Sequence, residues 1–309
     1  MTIARAEVVF VGNRGRKRLD HVAKERALQA MRQRNRRKSA GRVEGTTVRA
    51  HGEPPYRAAV IHGGPGAGGE MAPVARVLAT RRGVLEPIQT AHSVDGQVGE
   101  LREVLVREAA LPAVLVGFSW GAWLSFILAA RYPGLVGKLV LVSSGPFAAS
   151  YAGGIHPARL ERLTEDERDA FETSWTAVSR GTAGEKDVAL RRLGALARKA
   201  DAYDPLPAPP DQPIVPDAVV FGSVWPEAAD LRERGELLRL GQRIRCPVVA
   251  IHGDYDPHPA AGVREPLAAM LEDFQFILLD RCGHEPWRER QARDAFFRIL
   301  DEHVPVPRT

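Results

Sequence analysis

Three residues that together could perform nucleophilic catalysis occur in the chain order Ser119, Asp256, His284. Ser119 is the centre of the sequence Gly117–Gly121, which fits the pattern G-x-S-x-G between a strand-like apolar run and an apolar helical run. That context predicts a tight strand-to-helix turn that projects the serine hydroxyl, with small residues where neighbouring backbones come close. A free serine hydroxyl is a poor nucleophile, so it needs a histidine to accept its proton and a carboxylate to orient that histidine.

The predicted base is His284, which lies in the sequence Cys282–Pro286 after a strand-like run. It is the one histidine of nine that has a Gly-His loop after the last such run. His252 and His258 are nearer rivals than the others. We interpret His252 as buried within a strand, and His258 as following the acid too closely in sequence.

The predicted orienting acid is Asp256, with Asp254 left open as the alternative. Both follow the apolar run Val248–Gly253 directly. Asp256 lies further from the end of that run and so reaches further toward a histidine on the neighbouring loop. Either carboxylate would also suit a tight turn.

A glycine-rich loop, His62–Gly66, follows an earlier apolar run. Backbone N–H groups in such a loop are free to point at a ligand. An oxyanion hole takes one donor from this loop and one from the residue after the nucleophile. We therefore predict that Gly64 and Trp120 supply these donors. The loop lacks the Gly-Lys-Ser/Thr of a phosphate-binding Walker loop.

Short apolar runs alternate with helical patterns from residue 57 onward, which predicts a mostly parallel, doubly wound α/β sheet. The predicted strands are Ala58–His62, Ala113–Gly117, Lys138–Ser143, Val248–His252 and Phe274–Leu279. The predicted helices between them include Gly96–Ala109 and Trp120–Arg131.

The alternation lapses at about 147–243, which predicts an inserted helical cap. Helical patterns occur at Thr164–Trp175 and Lys186–Ala200, and the stretch Pro205–Pro216 is rich in proline. Proline at that density excludes both a regular helix and a central strand.

Together these motifs resemble the α/β-hydrolase superfamily over about residues 57–146 and 244–300. The His-Gly-Gly-Pro-Gly loop with Ser119-Trp120-Gly121 is similar to the prolyl iminopeptidase branch. That branch usually carries Asp-x-Arg-Gly-x-Gly-x-Ser after the next strand, and Val84–Ser93 lacks it.

The resemblance implies an α/β-hydrolase fold and a serine hydrolase that cleaves an ester or amide of a small molecule through an acyl-enzyme. An aminopeptidase that holds a substrate amine with cap carboxylates is one alternative. The cap acids are Glu161, Glu165, Asp166 and Glu167, of which Glu167 also fits a helix-capping box with Thr164. A non-catalytic binding protein on the same fold is the other alternative.

Charge is divided unevenly along the chain, whose net charge is +5. Residues 1–42 hold 13 basic and three acidic residues, a net +10, so the remainder carries −5. We expect residues 1–50 to form a basic, flexible extension and residues 51–309 to form the catalytic domain. We expect no nucleic-acid binding beyond a weak association of this extension with anionic surfaces. Within the extension, Val8–Val11 would also suit an edge strand of the sheet.

Two cysteines, Cys246 and Cys282, are too few for a disulfide framework or a four-ligand metal site. We therefore expect no metal and no cofactor. The early basic residues interrupt any secretory apolar region, which predicts a cytoplasmic protein.

Overall fold

The computed structural model describes residues 6–12, 47–180, 182–207, 216–304 and 306. One eight-stranded sheet runs through them. Its strands are β1 Ala6–Gly12, β2 Thr47–His51, β3 Tyr56–Ile61, β4 Gly83–Ile88, β5 Ala113–Phe118, β6 Val136–Val142, β7 Val248–Gly253 and β8 Asp273–Leu279. Their order across the sheet is β1-β8-β7-β6-β5-β3-β4-β2.

The six central strands are parallel, and the two edge strands are antiparallel to their neighbours. Every residue of β5 and of β7 is buried. Both strands are apolar on both faces because helices cover both sides of the sheet. The predicted fold class is therefore confirmed, as are all five predicted strands.

Helices pack on both faces of this sheet. The α-helices of the described residues are α1 Ala72–Leu78, α2 Val94–Glu108, α3 Trp120–Arg131, α4 Ile155–Glu161, α5 Glu165–Arg180, α6 Ala183–Ala200, α7 Ala218–Glu233, α8 Glu236–Arg239, α9 Ala261–Met270 and α10 Arg293–His303. Residues of α2, α3 and α9 share one buried apolar cluster with one face of the sheet. Residues of α1 and α10 share a second cluster with the other face. No helix in the described part of the chain is long and apolar enough to cross a membrane.

Five of these helices, α4 to α8, lie in the stretch between β6 and β7, which we call the cap segment (residues 143–247). Within it, α5 and α6 pack on each other around Phe171 and Leu193. The helix α7 joins the main core through Val220 and Val224. The cap segment is therefore attached to the sheet through buried apolar contacts.

The two edge strands of the sheet, β1 and β2, include residues 6–12 and 47–50, which the sequence places in an extension outside the domain. The strand β1 pairs with β8 over seven residues, and β2 pairs with β4 over five. The sequence does not reveal this pairing, because β1 and its partner are separated by some 260 positions along the chain. The basic run at 13–42 and residues 208–215 of the proline-rich stretch lie outside the described residues.

Removing the N-terminal 42 residues should therefore destabilise the domain. Without β1, the backbone N–H and C=O groups along the outer side of β8 lose their partners and form an exposed sheet edge. We expect a chain of residues 43–309 to melt about 5 °C or more below the full chain, or to aggregate. A chain that begins at residue 5 keeps β1 and should melt like the full chain. Equal melting midpoints for all three in thermal denaturation would contradict the pairing.

Candidate active site

Ser119 lies in the turn between β5, which ends at Phe118, and α3, which begins at Trp120. Its φ of 51° and ψ of −113° place it in a region that residues other than glycine rarely adopt. The backbone N–H of Ser119 donates to the carbonyl of Val142 at 3.0 Å. This hydrogen bond fixes the turn to the neighbouring strand β6.

The two glycines of the motif make this turn possible. A Cβ atom on Gly117 would lie 2.3 Å from the carbonyl oxygen of Gly121. A Cβ atom on Gly121 would lie 2.4 Å from the carbonyl oxygen of Ile61, at the end of β3. The backbone of the turn therefore lies in close contact with the first turn of α3 and with the end of β3, which precedes the glycine-rich loop. The spacing of G-x-S-x-G follows from these two contacts.

The structure brings His284 and Asp256 together. The Nδ1 atom of His284 lies 2.7 Å from Oδ2 of Asp256, whose side chain is fully buried. The loops that carry them follow β8 and β7, which are adjacent parallel strands. Burial by itself lowers the pKa of His284, but the attraction of Asp256 and its hydrogen bond raise that pKa overall.

Asp254 is placed differently. Its side chain is exposed, and Oδ1 accepts a hydrogen bond from the backbone N–H of Cys282 at 3.0 Å. It therefore links the two loops from the outside instead of contacting the imidazole of His284. Of the two aspartates that the sequence leaves open, the geometry favours Asp256.

Burial by itself would raise the pKa of Asp256, but attraction by three histidines holds it well below the usual range. Besides His284, these are His258 and His252. The side chain of His258 lies 2.8 Å from Oδ1 of Asp256, and that of His252 lies 3.5 Å from Oδ2. Asp256 is thus an ionised, buried carboxylate. Sequence reasoning set His258 aside because of its closeness along the chain, whereas the structure places it beside the site.

Ser119 and His284 line the same cavity. The ring of Phe118, the residue before the serine, lies 4.8 Å from the ring of His284, measured between centroids. This contact places the histidine next to the serine turn. The pairing of Ser119 with His284 stays a prediction.

The predicted oxyanion donors, Gly64 and Trp120, also line this cavity. Trp120 is the first residue of α3, so its backbone N–H has no partner within the helix. Its indole Nε1 points away into the core and donates to Oε1 of Gln97 at 2.9 Å. Gly64 has φ of 31°, and the ring of His62 holds the start of the loop through its Nδ1, 2.7 Å from the carbonyl of Gly63.

A buried carboxyl that sequence reasoning did not single out, Glu70, lies against this loop. Its Oε2 has no hydrogen-bond partner among the described residues and would contact a Cβ on Gly63 at 2.6 Å. Burial and the nearby negative charge of Glu285 raise the pKa of Glu70 to about 7. Glu70 therefore titrates near neutral pH within the cavity wall.

The cavity has a volume of about 1210 Å³ and extends from Ser119 beneath the cap segment. One wall is aromatic: the ring of Trp225 stacks between those of Trp123 and Phe221, with centroids 6.1 Å away on each side. Such a wall suits an apolar chain of a substrate. The lining also carries charges of both signs, including the ion pair of Arg198 with Glu285.

The cap segment also holds the loop of His284. The backbone N–H of His284 donates to the carbonyl of Asp201. The carboxylate of Asp201 accepts hydrogen bonds from Nε and Nη2 of Arg159 at 2.7 and 2.6 Å. The carboxylate of Glu289 accepts a hydrogen bond from the backbone N–H of Gly283, in the loop of His284, and another from that of Tyr203, in the cap segment. Neither residue type nor spacing in the sequence indicates these contacts, because they join separate parts of the chain.

Asp256, His258 and His284 also offer metal-ligand atoms within 4.8 Å of one another. In the structure, Nδ1 of each histidine is engaged with the carboxylate of Asp256. Imidazole and carboxylate are donors that Zn²⁺ accepts. Here they fit a hydrogen-bonded network, and the expectation of no metal stays a prediction.

The sequence model of the alpha/beta hydrolase fold matches residues 111–287. This chain belongs to that family. It is 26% identical over 257 residues to a pimeloyl-[acyl-carrier protein] methyl ester esterase of Chromobacterium violaceum, covering 79% of this chain and 92% of the relative. The family and the esterase relatives confirm the prediction of a hydrolase.

Solved structures show the same fold. VinJ superposes with a TM-score of 0.61 at 19% identity, covering 84% of this chain and 97% of that one. The proline iminopeptidase of Mycobacterium smegmatis superposes with a TM-score of 0.55 at 14% identity, covering 83% and 93%. The family match confirms the resemblance to the superfamily, and these structures share its fold.

The close contacts of the serine turn predict that Gly121→Ala destabilises the protein by at least about 2 kcal/mol, because the added methyl group has no room. Gly99→Ala is the matched control. Gly99 lies exposed in α2 with nothing within 4 Å of its added Cβ, so alanine should stabilise the helix by about 0.5–1 kcal/mol. Chemical denaturation of both variants measures this difference. Equal stabilities would mean that the turn is not packed as described.

The two aspartates give a second prediction. Asp256→Asn should lower kcat on the order of 10⁴-fold, because the base loses its orienting carboxylate and takes the wrong tautomer. Asp254→Asn should cost far less, because its carboxylate binds only a backbone N–H. Steady-state kinetics of the two purified variants make the comparison. The reverse ranking would assign the orienting role to Asp254.

Proposed function

We propose that this protein is a serine esterase that hydrolyses esters of small acyl compounds, with Ser119 as nucleophile, His284 as general base and Asp256 as the orienting acid. The observation that carries the proposal is the hydrogen bond of His284 to a fully buried carboxylate, in the same cavity wall as a serine held at positive φ. This combination activates a hydroxyl group that is otherwise unreactive.

In the proposed reaction, His284 Nε2 takes the proton of Ser119 as Oγ attacks the ester carbonyl carbon. The carbonyl oxygen gains negative charge and is bound by the N–H groups of Gly64 and Trp120. As the tetrahedral intermediate collapses, the C–O bond to the alcohol breaks, and the alcohol leaves with the proton from His284. Water then gives a proton to His284 as it attacks the acyl carbon. When this second intermediate collapses, the bond from the acyl carbon to Oγ of Ser119 breaks, His284 returns the proton to Oγ, and the acid leaves.

The shape of the cavity supports an acyl chain of moderate length as the substrate part that binds beneath the cap segment. The aromatic wall of Trp123, Trp225 and Phe221 offers apolar contact beyond the serine. The esterase of Chromobacterium violaceum is named for a pimeloyl methyl ester carried on acyl-carrier protein. We therefore propose a carboxylic ester with a small alcohol, such as a methyl ester, as the substrate class.

The aminopeptidase alternative has less support. Its expected amine-binding acids in the cap were Glu161, Glu165, Asp166 and Glu167, none of which lines the described cavity. Glu167 instead accepts the backbone N–H of Thr164 at 3.1 Å and pairs with Lys199. These contacts support its interpretation as a helix-capping residue.

The test is to measure Ser119→Ala against p-nitrophenyl butyrate, the methyl ester of a medium-chain acid and an alanine p-nitroanilide. We expect the native protein to hydrolyse both esters and the variant to lose on the order of 10⁴–10⁶ in kcat, because the three residues act as a unit.

Ser150→Ala, at an exposed position, is the matched control and should keep full activity. If Ser119→Ala kept more than about a tenth of the native rate, Ser119 would not be the nucleophile. Faster hydrolysis of the anilide than of the esters would favour the aminopeptidase. An inactive native protein that still binds the ester would favour a binding role.

A further inference from the structure

His258 makes more contacts with the catalytic centre than its place in the chain suggests. Its backbone N–H lies 2.9 Å from Oδ1 of Asp256, and its ring Nδ1 lies 2.8 Å from the same oxygen. Its ring stacks on that of His284, with centroids 4.5 Å apart and planes 26° from parallel. It also lines the cavity that holds Ser119.

These contacts divide the carboxylate of Asp256 between two histidines. Oδ2 faces Nδ1 of His284 at 2.7 Å, while both close donors to Oδ1 come from His258. Because the carboxylate is ionised and fully buried, it needs such donors to offset its lost hydration. Both ring Nδ1 atoms therefore carry their protons toward Asp256.

The imidazole of His284 also packs against two other rings. The ring of Phe118 packs against it at 4.8 Å and that of His258 at 4.5 Å. Phe118 adjoins Ser119 in sequence, so it is His284 and not His258 that lies against the serine turn. The two histidines thus have unequal positions although they share one acid.

We propose that His258 is a second positioning histidine, which fixes the free oxygen of Asp256 by its Nδ1–H and supports the face of His284. This inference rests on the proposed function, since it concerns the orientation of the proposed base. His258 acts through Asp256 and His284 and takes no proton from Ser119. It keeps acid and base in one relative orientation while His284 gains and loses its proton.

The same contacts limit how strongly Asp256 attracts the protonated His284. Two donors on Oδ1 withdraw charge from the carboxylate, so removing one should strengthen its attraction for the imidazolium. The other charged groups that act on this centre are Asp201, Arg159, Glu70 and His252. All of them stay in place when residue 258 alone is changed, so a shift in the acid limb of the pH profile reports on His258.

The experiment compares His258→Phe with His258→Asn, using kcat/KM for p-nitrophenyl butyrate between pH 5 and 9. Phenylalanine keeps an aromatic ring beside His284 but removes the Nδ1–H donor. Asparagine loses the ring but places an amide N–H where Nδ1 stood. His92→Phe, at an exposed position before α2, is the control for introducing phenylalanine.

We expect His258→Phe to lower kcat/KM roughly 10- to 100-fold, the cost of one hydrogen bond to a charged group. Its acid limb should move to higher pH. His258→Asn should return the acid limb to the native position, and His92→Phe should behave like the native protein. Thermal denaturation of each variant shows whether the fold is kept.

A His258→Phe variant within twofold of native kcat/KM, with an unchanged acid limb, would overturn the inference. So would a shifted limb that His258→Asn fails to restore. Failure of the proposed function has a different signature. In that case Ser119→Ala retains activity, whatever the result at residue 258.

Discussion

The site depends on one buried charge, the carboxylate of Asp256. Removing a carboxylate from water costs several kcal/mol unless charge-assisted hydrogen bonds replace its hydration. Here the donors are two side chains and one backbone N–H, from His284 and His258. Of these interactions, the pairing of Asp256 with His284 both favours the ionised carboxylate and raises the pKa of His284. The contact that stabilises the buried charge of Asp256 is therefore also the contact that orients the proposed base of Ser119.

The fold supplies this arrangement through adjacent parallel strands. The strands β5, β6, β7 and β8 end at the same edge of the sheet, and Ser119, Asp256 and His284 follow three of them. The cap segment adds a second support, since the carbonyl of Asp201 binds the N–H of His284 and the carboxylate of Glu289 joins the two regions. The helical insertion that lines the cavity thus also fixes the loop of the proposed base, His284. Substitutions in the cap segment that move Asp201 should therefore change kcat as well as substrate affinity.

The sequence predicts the central strands and the order of the three residues, because both leave local patterns: apolar runs, G-x-S-x-G and loops that follow strands. Val8–Val11 suits an edge strand, but the sequence does not predict that β1 pairs with β8, which lies far along the chain. The same limit applies to Glu70, Asp201 and Glu289, which contact the site through tertiary packing alone. His258 shows the converse case. Its closeness to Asp256 in sequence argues against it as the base. That same two-residue separation lets its ring reach the carboxylate of Asp256.

The central claim is that Ser119 is made nucleophilic by a base whose orientation Asp256 sets. The most direct measurement is to treat the native protein and its Asp256→Asn variant with a fluorophosphonate and to locate the adduct by peptide mass spectrometry. The account predicts a single phosphonylated residue, Ser119, in the native protein and much slower labelling of the same residue in the variant. Labelling at a different serine, or equal labelling rates in the two proteins, would contradict it.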